Sequence, residues 1–244
     1  AAFLGEHLTR LRGGLRLLEI REPEGLADVG AVIEALAVDA SGPFAARITV
    51  SRGPAGRGLD WEGAAESPSL LVALSPAAPQ SGPALLHVSE RRRYSGASVN
   101  AFKSIGGYTE NMLARREARR AGADDALLLN EHGRPACATA ANLFLMAADG
   151  AVATPSLREG ATPGIVRGLL IARLAALGVA VAERGVDAAE MDGAFLFLTN
   201  SLIGLRPAAL LGARPAAPPP LFDGLADWYR RRLEEETMRS RAPS

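Results

Sequence analysis

Residue 103 is the only lysine in a chain of 244 residues, and the other 26 basic residues are all arginine. The two side chains substitute for each other as exposed charges, but only a lysine amine can lose its proton and attack a carbonyl. Lys103 is therefore a candidate for Schiff-base chemistry with a substrate carbonyl or with pyridoxal phosphate. The alternative is a leftover surface lysine in a chain whose coding bias favours arginine.

The residues that follow Lys103 in "AFKSIGGY" favour the chemical interpretation. Two glycines allow a close backbone approach. Tyr108 lies five residues after the lysine, near the start of a predicted helix. Its phenol could hydrogen-bond a cofactor oxygen, with burial in the core as the alternative.

Two further segments could hold a phosphate. "TPGIVR" opens a predicted helix, whose first N–H groups, those of Ile165 and Val166, could face an anion. "LTNS" ends an apolar strand in polar side chains, so Ser201 could donate to the same anion. Arg92 is a candidate for binding a substrate carboxylate, with a surface charge as the alternative. Each of these signals is weak by itself.

Composition excludes several classes of function. The formal net charge is zero, which gives no overall field that would favour nucleic acid or an anionic membrane. One cysteine, Cys137, cannot form a disulfide within the chain, and the three histidines are too scattered to predict a metal site. No segment resembles a signal peptide or is apolar enough to span a bilayer. We therefore expect a cytoplasmic protein with no metal, nucleic-acid or membrane partner.

The positions of apolar residues predict an α+β, mixed α/β chain. Helices are predicted over 5–20, 25–40, 104–121, 162–178 and 222–239. Strands are predicted over 44–53, 69–76, 84–93, 179–186 and 194–201, with several short strands in 125–155, an extended segment over 94–102 and a glycine-rich loop between the first two strands.

The segment "SPAAPQSGP" (75–83) is the best linker in the chain, since it holds three prolines and no large apolar residue. We therefore predict a small α+β domain over 1–79, a linker over 80–84 and a larger, strand-rich domain over 85–244.

The order and spacing of these motifs resemble the class IV aminotransferases, the pyridoxal-phosphate enzymes of fold type IV, as far as about Gly212. The resemblance implies a two-domain fold similar to that of D-amino acid aminotransferases. It implies that Lys103 is the Schiff-base lysine and that Tyr108 binds the cofactor. The family's hairpin that ends in "NLF" matches Asn142 and the two residues after it.

The resemblance also implies how the cofactor phosphate is held. The family's "EH…RL" helix matches "EHLTRL" and points to Arg10. The family's "PGI" turn matches residues 163–165 and implies the N–H groups of Ile165 and Val166, while "TNS" implies Ser201. In the family a homodimer is usual, so a homodimer is expected for this chain.

Three departures from the family pattern bear on function. Cys137 stands where the family has a glutamate that pairs with the pyridine nitrogen. Val166 replaces a threonine that often follows "PGI", so the hydroxyl is lost and the backbone N–H remains. The chain also begins almost at the "EH…RL" helix, so its N-terminal segment is short relative to the family.

Cys137 predicts the type of reaction. A thiol, with an ordinary pKa of about 8.5, is a weak partner for the pyridine nitrogen. The cofactor ring, which acts as an electron sink, therefore accepts electrons less strongly than it does beside a carboxylate. An elimination depends less on that sink than a transamination does. "LTNSLIGLRP" is also more similar to the lyase branch than to the "SGTA" of branched-chain aminotransferases.

The most specific expectation is thus a 4-amino-4-deoxychorismate lyase of folate biosynthesis, which releases pyruvate and forms p-aminobenzoate. An aminotransferase for D-amino or branched-chain amino acids is the first alternative, and a non-catalytic paralogue of the same fold is the second. In each catalytic case the substrate is a small anionic amine or amino acid.

Overall fold

The computed structural model describes residues 1–57, 67–78 and 80–239. The chain divides into two compact units, Ala1–Pro79 with Leu233–Ser244 and Gln80–Arg232. Whether these units correspond to separate domains with the predicted linker stays a prediction.

The first unit combines two helices with a two-stranded antiparallel sheet. Its elements are α1 (Leu4–Leu17), α2 (Val29–Leu36), β1 (Phe44–Ser51) and β2 (Ser69–Pro76). Leu8 and Leu15 repeat at seven-residue spacing on α1, so they share one face and pack with Val29 and Ile33 of α2. The predicted second helix, 25–40, was too long, because Gly25 adopts a positive φ of 79° and residues from Ala37 on form a turn. Of the predicted glycine-rich loop, residues 58–66 lie outside the described part of the chain.

The second unit is built on an eight-stranded mixed sheet. Its strands are β3 (Ala84–Arg92), β4 (Asp125–Leu129), β5 (Pro135–Ala138), β6 (Asn142–Met146), β7 (Val152–Pro155), β8 (Val181–Arg184), β9 (Phe195–Asn200) and β10 (Gly204–Leu210). The spatial order is β5-β4-β3-β10-β9-β6-β7-β8. The pairs β3–β4, β3–β10 and β7–β8 are parallel, and the other pairs are antiparallel.

Three helices belong wholly or partly to this unit: α3 (Tyr108–Arg120), α4 (Ile165–Ala176) and α5 (Pro220–Arg239). Side chains alternate across the strands, so Leu143 and Leu198 enter one core cluster while Phe144 and Phe197 stack on the opposite face with ring centroids 5.1 Å apart. Phe222 of α5 packs edge-on against Phe197. Among the described residues, no helix combines the length and apolarity needed to cross a membrane.

Two further features of local structure were not predicted correctly. Strand β10 was missed because it contains Pro207, which cannot donate to a neighbouring strand. The structure accommodates it because pairing of β10 with β3 begins only at Ala208. Residues 94–102 are not extended: Ser98–Asn100 form a 3-10 turn, and the Asn100 side-chain amide donates to the Tyr94 carbonyl at 2.8 Å.

Candidate active site

Lys103 lies in the short connection between the 3-10 turn Ser98–Asn100 and a second one, Ile105–Gly107, which leads directly into α3. Its side chain is exposed, and its Nζ lies 5.2 Å from the centre of the Tyr108 ring. The structure therefore brings together the lysine and the tyrosine that the sequence indicated. A lysine in this position is accessible to a substrate or cofactor carbonyl.

The segment before Lys103 is fixed at its far end by Glu131 in the β4–β5 turn. The Ser95 N–H and hydroxyl both donate to this carboxylate, at 2.8 Å and 2.5 Å. These two bonds, the hydroxyl's first, lower the pKa of Glu131 to about 2. Asn100, only 5% exposed, holds the middle of the same segment through its bond to Tyr94.

The turn before α4 has the features of an anion site. The helix begins at Ile165, after Gly164 in an extended conformation, and no side chain caps its first turn. The predicted start at Thr162 and Pro163 was therefore three residues too early. Ile165 and Val166 are the first two helical residues, where backbone N–H groups have no partner within a helix. Their predicted role fits this position.

Gly164 is needed at this turn because Asn142 occupies the space beside it. The Asn142 amide donates to the Thr162 carbonyl at 2.8 Å, and a Cβ on Gly164 would lie 2.0 Å from Asn142 Oδ1. Any other residue would displace Asn142 or the turn. The hairpin residue that the resemblance indicated thus holds the turn from one side.

Sequence reasoning missed Arg93, which holds the turn from the other side. Its Nε donates to the Gly160 carbonyl at 2.5 Å and its Nη2 to the Thr162 hydroxyl at 2.9 Å. Its Nη1 donates to Asn111 Oδ1 at 3.4 Å. Since Asn111 lies one turn after Tyr108 on α3, Arg93 links the helix that follows the lysine to the turn before α4.

Arg92, the candidate for binding a substrate carboxylate, has an exposed side chain, in keeping with the alternative of a surface charge. Its guanidinium donates to the Ser89 and Glu90 carbonyls of its own strand, at 2.9 Å and 3.2 Å. The arginine run 91–93 was interpreted as a solvated face. Only the position of its last member, one residue beyond the end of β3, distinguishes Arg93.

The end of β9 places a buried hydroxyl opposite Asn142, the residue that contacts the turn. Thr199 pairs directly opposite Asn142, so the two side chains project from the same face of the sheet. Thr199 is 1% exposed, and its hydroxyl has no hydrogen-bond partner among the described residues. Ser201, the residue that the sequence indicated, follows the strand with an exposed side chain. Its contact with a phosphate stays a prediction.

Cys137 lies on β5 with a side chain that is 4% exposed. It belongs to a buried cluster of alanines and one leucine between the sheet and α3: Ala114, Ala118, Ala123, Ala126, Leu128 and Ala136. Burial raises the pKa of the thiol, an effect that the charge of Arg93 opposes in part. The thiol is therefore protonated at neutral pH, and its place at a pyridine nitrogen stays a prediction.

A buried acidic group supports the loop that joins Cys137 to Asn142. Asp125 forms an ion pair with Arg115 of α3 at 3.0 Å and accepts a hydrogen bond from the Thr139 hydroxyl. Asn111 donates to the Thr139 carbonyl at 2.6 Å. Through these bonds α3 fixes the loop between β5 and β6.

Arg10 lies on α1 in the first unit and is half-buried. Its contact with a cofactor phosphate stays a prediction. Among the described residues, no group of three or more His, Cys, Asp or Glu side chains is placed to hold a metal ion.

Comparison with known proteins assigns the family. The sequence profile of the family described as Amino-transferase class IV matches residues 1–211, so the chain belongs to this family. The family is pyridoxal-phosphate dependent, and the chain is accordingly an enzyme of the lyase or aminotransferase type.

Individual relatives point to two activities. A candidate branched-chain-amino-acid aminotransferase of Methanocaldococcus jannaschii is 29% identical over 217 residues, which cover 86% of this chain and 74% of that protein. The crystal structure of a candidate 4-amino-4-deoxychorismate lyase of Legionella pneumophila is 29% identical, with a TM-score of 0.87 over 95% of this chain and 86% of that one.

A third comparison supports the fold alone. The branched-chain aminotransferase of Thermoproteus uzoniensis, crystallised with norvaline, is 24% identical, with a TM-score of 0.86 over 96% of this chain and 80% of that one. The predicted fold type IV architecture is therefore confirmed.

The residues of the second unit fit pyridoxal phosphate at two of its ends. Lys103 would supply the amine for the aldehyde, with Tyr108 beside it. The turn at Gly164, which has no room for a Cβ, and the Thr199 hydroxyl, which has no partner among the described residues, would suit the phosphate. If Cys137 faces the pyridine nitrogen, as the resemblance implies, the chain would offer a protonated thiol there in place of a carboxylate.

Proposed function

We propose that the chain is a pyridoxal-phosphate-dependent lyase that cleaves 4-amino-4-deoxychorismate to p-aminobenzoate and pyruvate. The observation that carries this proposal is Cys137, a buried and protonated thiol at the position of the family's glutamate. A neutral thiol does not stabilise a protonated ring nitrogen, so the cofactor ring withdraws electrons less strongly. This disfavours transamination, which must store negative charge on the cofactor. The Legionella relative supports the same activity.

The chain's own residues would divide the work as follows. When bound, pyridoxal phosphate supplies the electron sink for charge at the carbon that bears the substrate's amino group. Lys103 takes the proton from that ring carbon as general base and can return a proton as general acid. Tyr108, which is already in contact with the lysine, orients the cofactor ring. Loss of pyruvate then leaves an aromatic ring, which drives the elimination.

Phosphate binding in this proposal comes from the N–H groups of Ile165 and Val166, together with Ser201 and Arg10. The substrate is a small anionic amine or amino acid. We also propose that the enzyme acts in the cytoplasm as a homodimer and engages neither nucleic acid nor a membrane.

An aminotransferase for branched-chain or D-amino acids is the second candidate. The observation in its favour is the curated relative from Methanocaldococcus jannaschii, which is named as a branched-chain-amino-acid aminotransferase and matches 86% of this chain. Its chemistry would use the same lysine and the same phosphate turn.

Parallel assays separate the two candidates. The purified enzyme, loaded with pyridoxal phosphate, is incubated with 4-amino-4-deoxychorismate while p-aminobenzoate is measured by its fluorescence. Separate reactions measure amino transfer from branched-chain and D-amino acids to 2-oxoglutarate. We expect p-aminobenzoate release to dominate, and strong transfer without p-aminobenzoate would disprove the lyase proposal.

Covalent trapping tests the site itself. Borohydride reduction of the loaded enzyme, followed by peptide mapping, should place the pyridoxyl group on Lys103. The Lys103→Ala variant should lose both the label and the activity, while remaining folded because its side chain is exposed. A label at any other position would show that the site is wrongly assigned.

A further inference from the structure

The Thr162 hydroxyl is a hydrogen-bond donor whose partner within the protein is a cation. Arg93 Nη2 donates to Thr162 Oγ1 at 2.9 Å. A guanidinium has no acceptor atoms, so Thr162 accepts this bond and keeps its own proton for another acceptor. The Arg93 bond to the Gly160 carbonyl fixes the same guanidinium at the turn. The hydroxyl is thus polarised by a fixed positive charge.

This hydroxyl stands at a turn that has other donors. The first turn of α4, a helix of 12 residues that begins at Ile165, has no side-chain cap. The Thr199 hydroxyl is buried, lies beside Asn142 on the same face of the sheet and has no partner among the described residues. Asn142 touches the turn at the Thr162 carbonyl, at 2.8 Å. The Thr162 hydroxyl, the start of α4 and the Thr199 hydroxyl are thus three independent potential donors around Asn142.

We propose that the Thr162 hydroxyl donates to the cofactor phosphate, and that Arg93 is a positioning residue that orients this hydroxyl and the turn around it. The inference rests on the proposed cofactor site at Lys103 but not on the choice between lyase and aminotransferase. The proposal also explains how the chain can lack the threonine that often follows "PGI" in the family. Val166, at that position, has a backbone N–H but no hydroxyl. Thr162, four residues earlier, supplies the hydroxyl instead.

Thr162→Val tests the donor, since it removes the hydroxyl and keeps the shape. The variant is titrated with pyridoxal phosphate and, separately, with pyridoxal, which has the same aldehyde but no phosphate. A hydrogen bond to a charged group is strong, so we expect binding of pyridoxal phosphate to weaken about tenfold or more. Pyridoxal binding should not change. Thr162→Ser, which restores a hydroxyl, should recover most of the loss.

Matched controls exclude a general effect of the substitution. Thr237→Val removes an exposed hydroxyl of α5 that donates to the Leu233 carbonyl at 2.8 Å, and should change neither titration. In the Thr162→Val background, Val166→Thr places a hydroxyl at the second residue of α4 and should restore part of the preference for the phosphorylated ligand. Equal losses for both ligands in Thr162→Val would show a merely structural effect and overturn the proposal.

Coupling tests the role of Arg93. Arg93→Gln should lower the affinity for pyridoxal phosphate more than that for pyridoxal, and the double variant with Thr162→Val should be little worse than Arg93→Gln alone. Fully additive losses would overturn the claim that Arg93 acts through Thr162. Arg91→Gln is the control, because the Arg91 guanidinium forms an exposed ion pair with Glu110 at 2.9 Å.

Trapping separates failure of this inference from failure of the proposed site. If wild-type Lys103 takes no label after borohydride reduction, both proposals are wrong. If Lys103 is labelled and Thr162→Val binds pyridoxal phosphate as well as the wild type does, only the role of Thr162 is disproved.

Discussion

Single residues carried most of the information about chemistry. Lys103 was recognisable as a candidate because only a neutral amine can form a Schiff base with a carbonyl. Tyr108 was recognisable because it follows five residues later, and the structure places its ring near that amine. Arg93 was not identifiable, because one arginine in a run of three differs from its neighbours only through contacts made after folding. Residue type therefore predicts reactivity, while the partners of a long, flexible side chain depend on tertiary structure.

Cys137→Glu tests the influence of the thiol on the reaction. A carboxylate at this position would keep the ring nitrogen protonated, so we expect the ratio of amino transfer to p-aminobenzoate release to increase. The side chain is 4% exposed among alanines, so the larger glutamate should also cost about 1–3 kcal/mol of stability.

Both activities and the free energy of unfolding are measured on the same preparation of this variant. Cys137→Ala serves as the control, since it supplies neither a carboxylate nor extra volume. An unchanged ratio of the two activities in Cys137→Glu would contradict the role given to the thiol.

Glu131 offers a pH-dependent test of the segment before Lys103. Its pKa of about 2 lies below its ordinary value, so the bonds to Ser95 stabilise the fold above that ordinary value. This contribution is lost as the pH falls towards 2. Ser95→Ala removes the hydroxyl bond and leaves the N–H bond, so the pKa of Glu131 should rise part of the way back.

The titration is followed by the ¹³C shift of the Glu131 carboxyl group in NMR spectra. Glu190, whose pKa of about 2 arises from Arg184 and the Asp187 N–H, provides an internal control that Ser95→Ala should leave unchanged. A Glu131 pKa that is the same in both proteins would show that the Ser95 hydroxyl has little effect.

At the scale of elements, helices and strands with regular apolar spacing were predictable, and irregular segments were not. Strand β9 lies within its predicted range, and α3 was predicted except for its start, because residues Ile105–Gly107 form a 3-10 turn before the helix begins at Tyr108. The 3-10 turn at Ser98–Asn100 depends on the side chain of Asn100 bonding to Tyr94, which no periodicity shows. Strand β10 contradicts its own propensity at Pro207 and is stabilised by its two neighbours. The phosphate turn was recognisable as a motif, but its contacts with Arg93 and Asn142 were not.

Gly164 and Gly168, at the start of α4, give opposite predictions for the change in stability on substitution by alanine. In Gly164→Ala the new Cβ would lie 2.0 Å from Asn142 Oδ1, so we expect a loss of about 1–3 kcal/mol and weaker binding of pyridoxal phosphate. In Gly168→Ala nothing lies within 4 Å of the new Cβ inside α4, so the fold should gain about 0.5–1 kcal/mol. Urea unfolding and cofactor titration measure both effects. Equal stability of the two variants would contradict the packing described at the turn.

At the scale of the whole molecule, the net charge bears on how the chain associates with partners. A net charge of zero gives no long-range attraction, so association must depend on local surfaces. In the second unit, three large side chains within nine residues of Lys103 in the sequence are well exposed: Tyr94 at 64%, Ile105 at 73% and Met112 at 61%. Apolar side chains of this size are common at protein interfaces.

We therefore expect the enzyme to sediment as a dimer, at twice the chain mass of 25.4 kDa, and expect Met112→Asp to weaken the dimer. Burying a new carboxylate against an apolar partner surface is unfavourable, so the dissociation constant should rise about tenfold or more. Val38→Asp, at a residue that is 80% exposed in the first unit, is the matched control and should leave dimerisation unchanged. Sedimentation equilibrium gives both constants. A monomeric wild type would disprove the proposed homodimer, whereas a dimer unaffected by Met112→Asp would place its interface elsewhere on the surface.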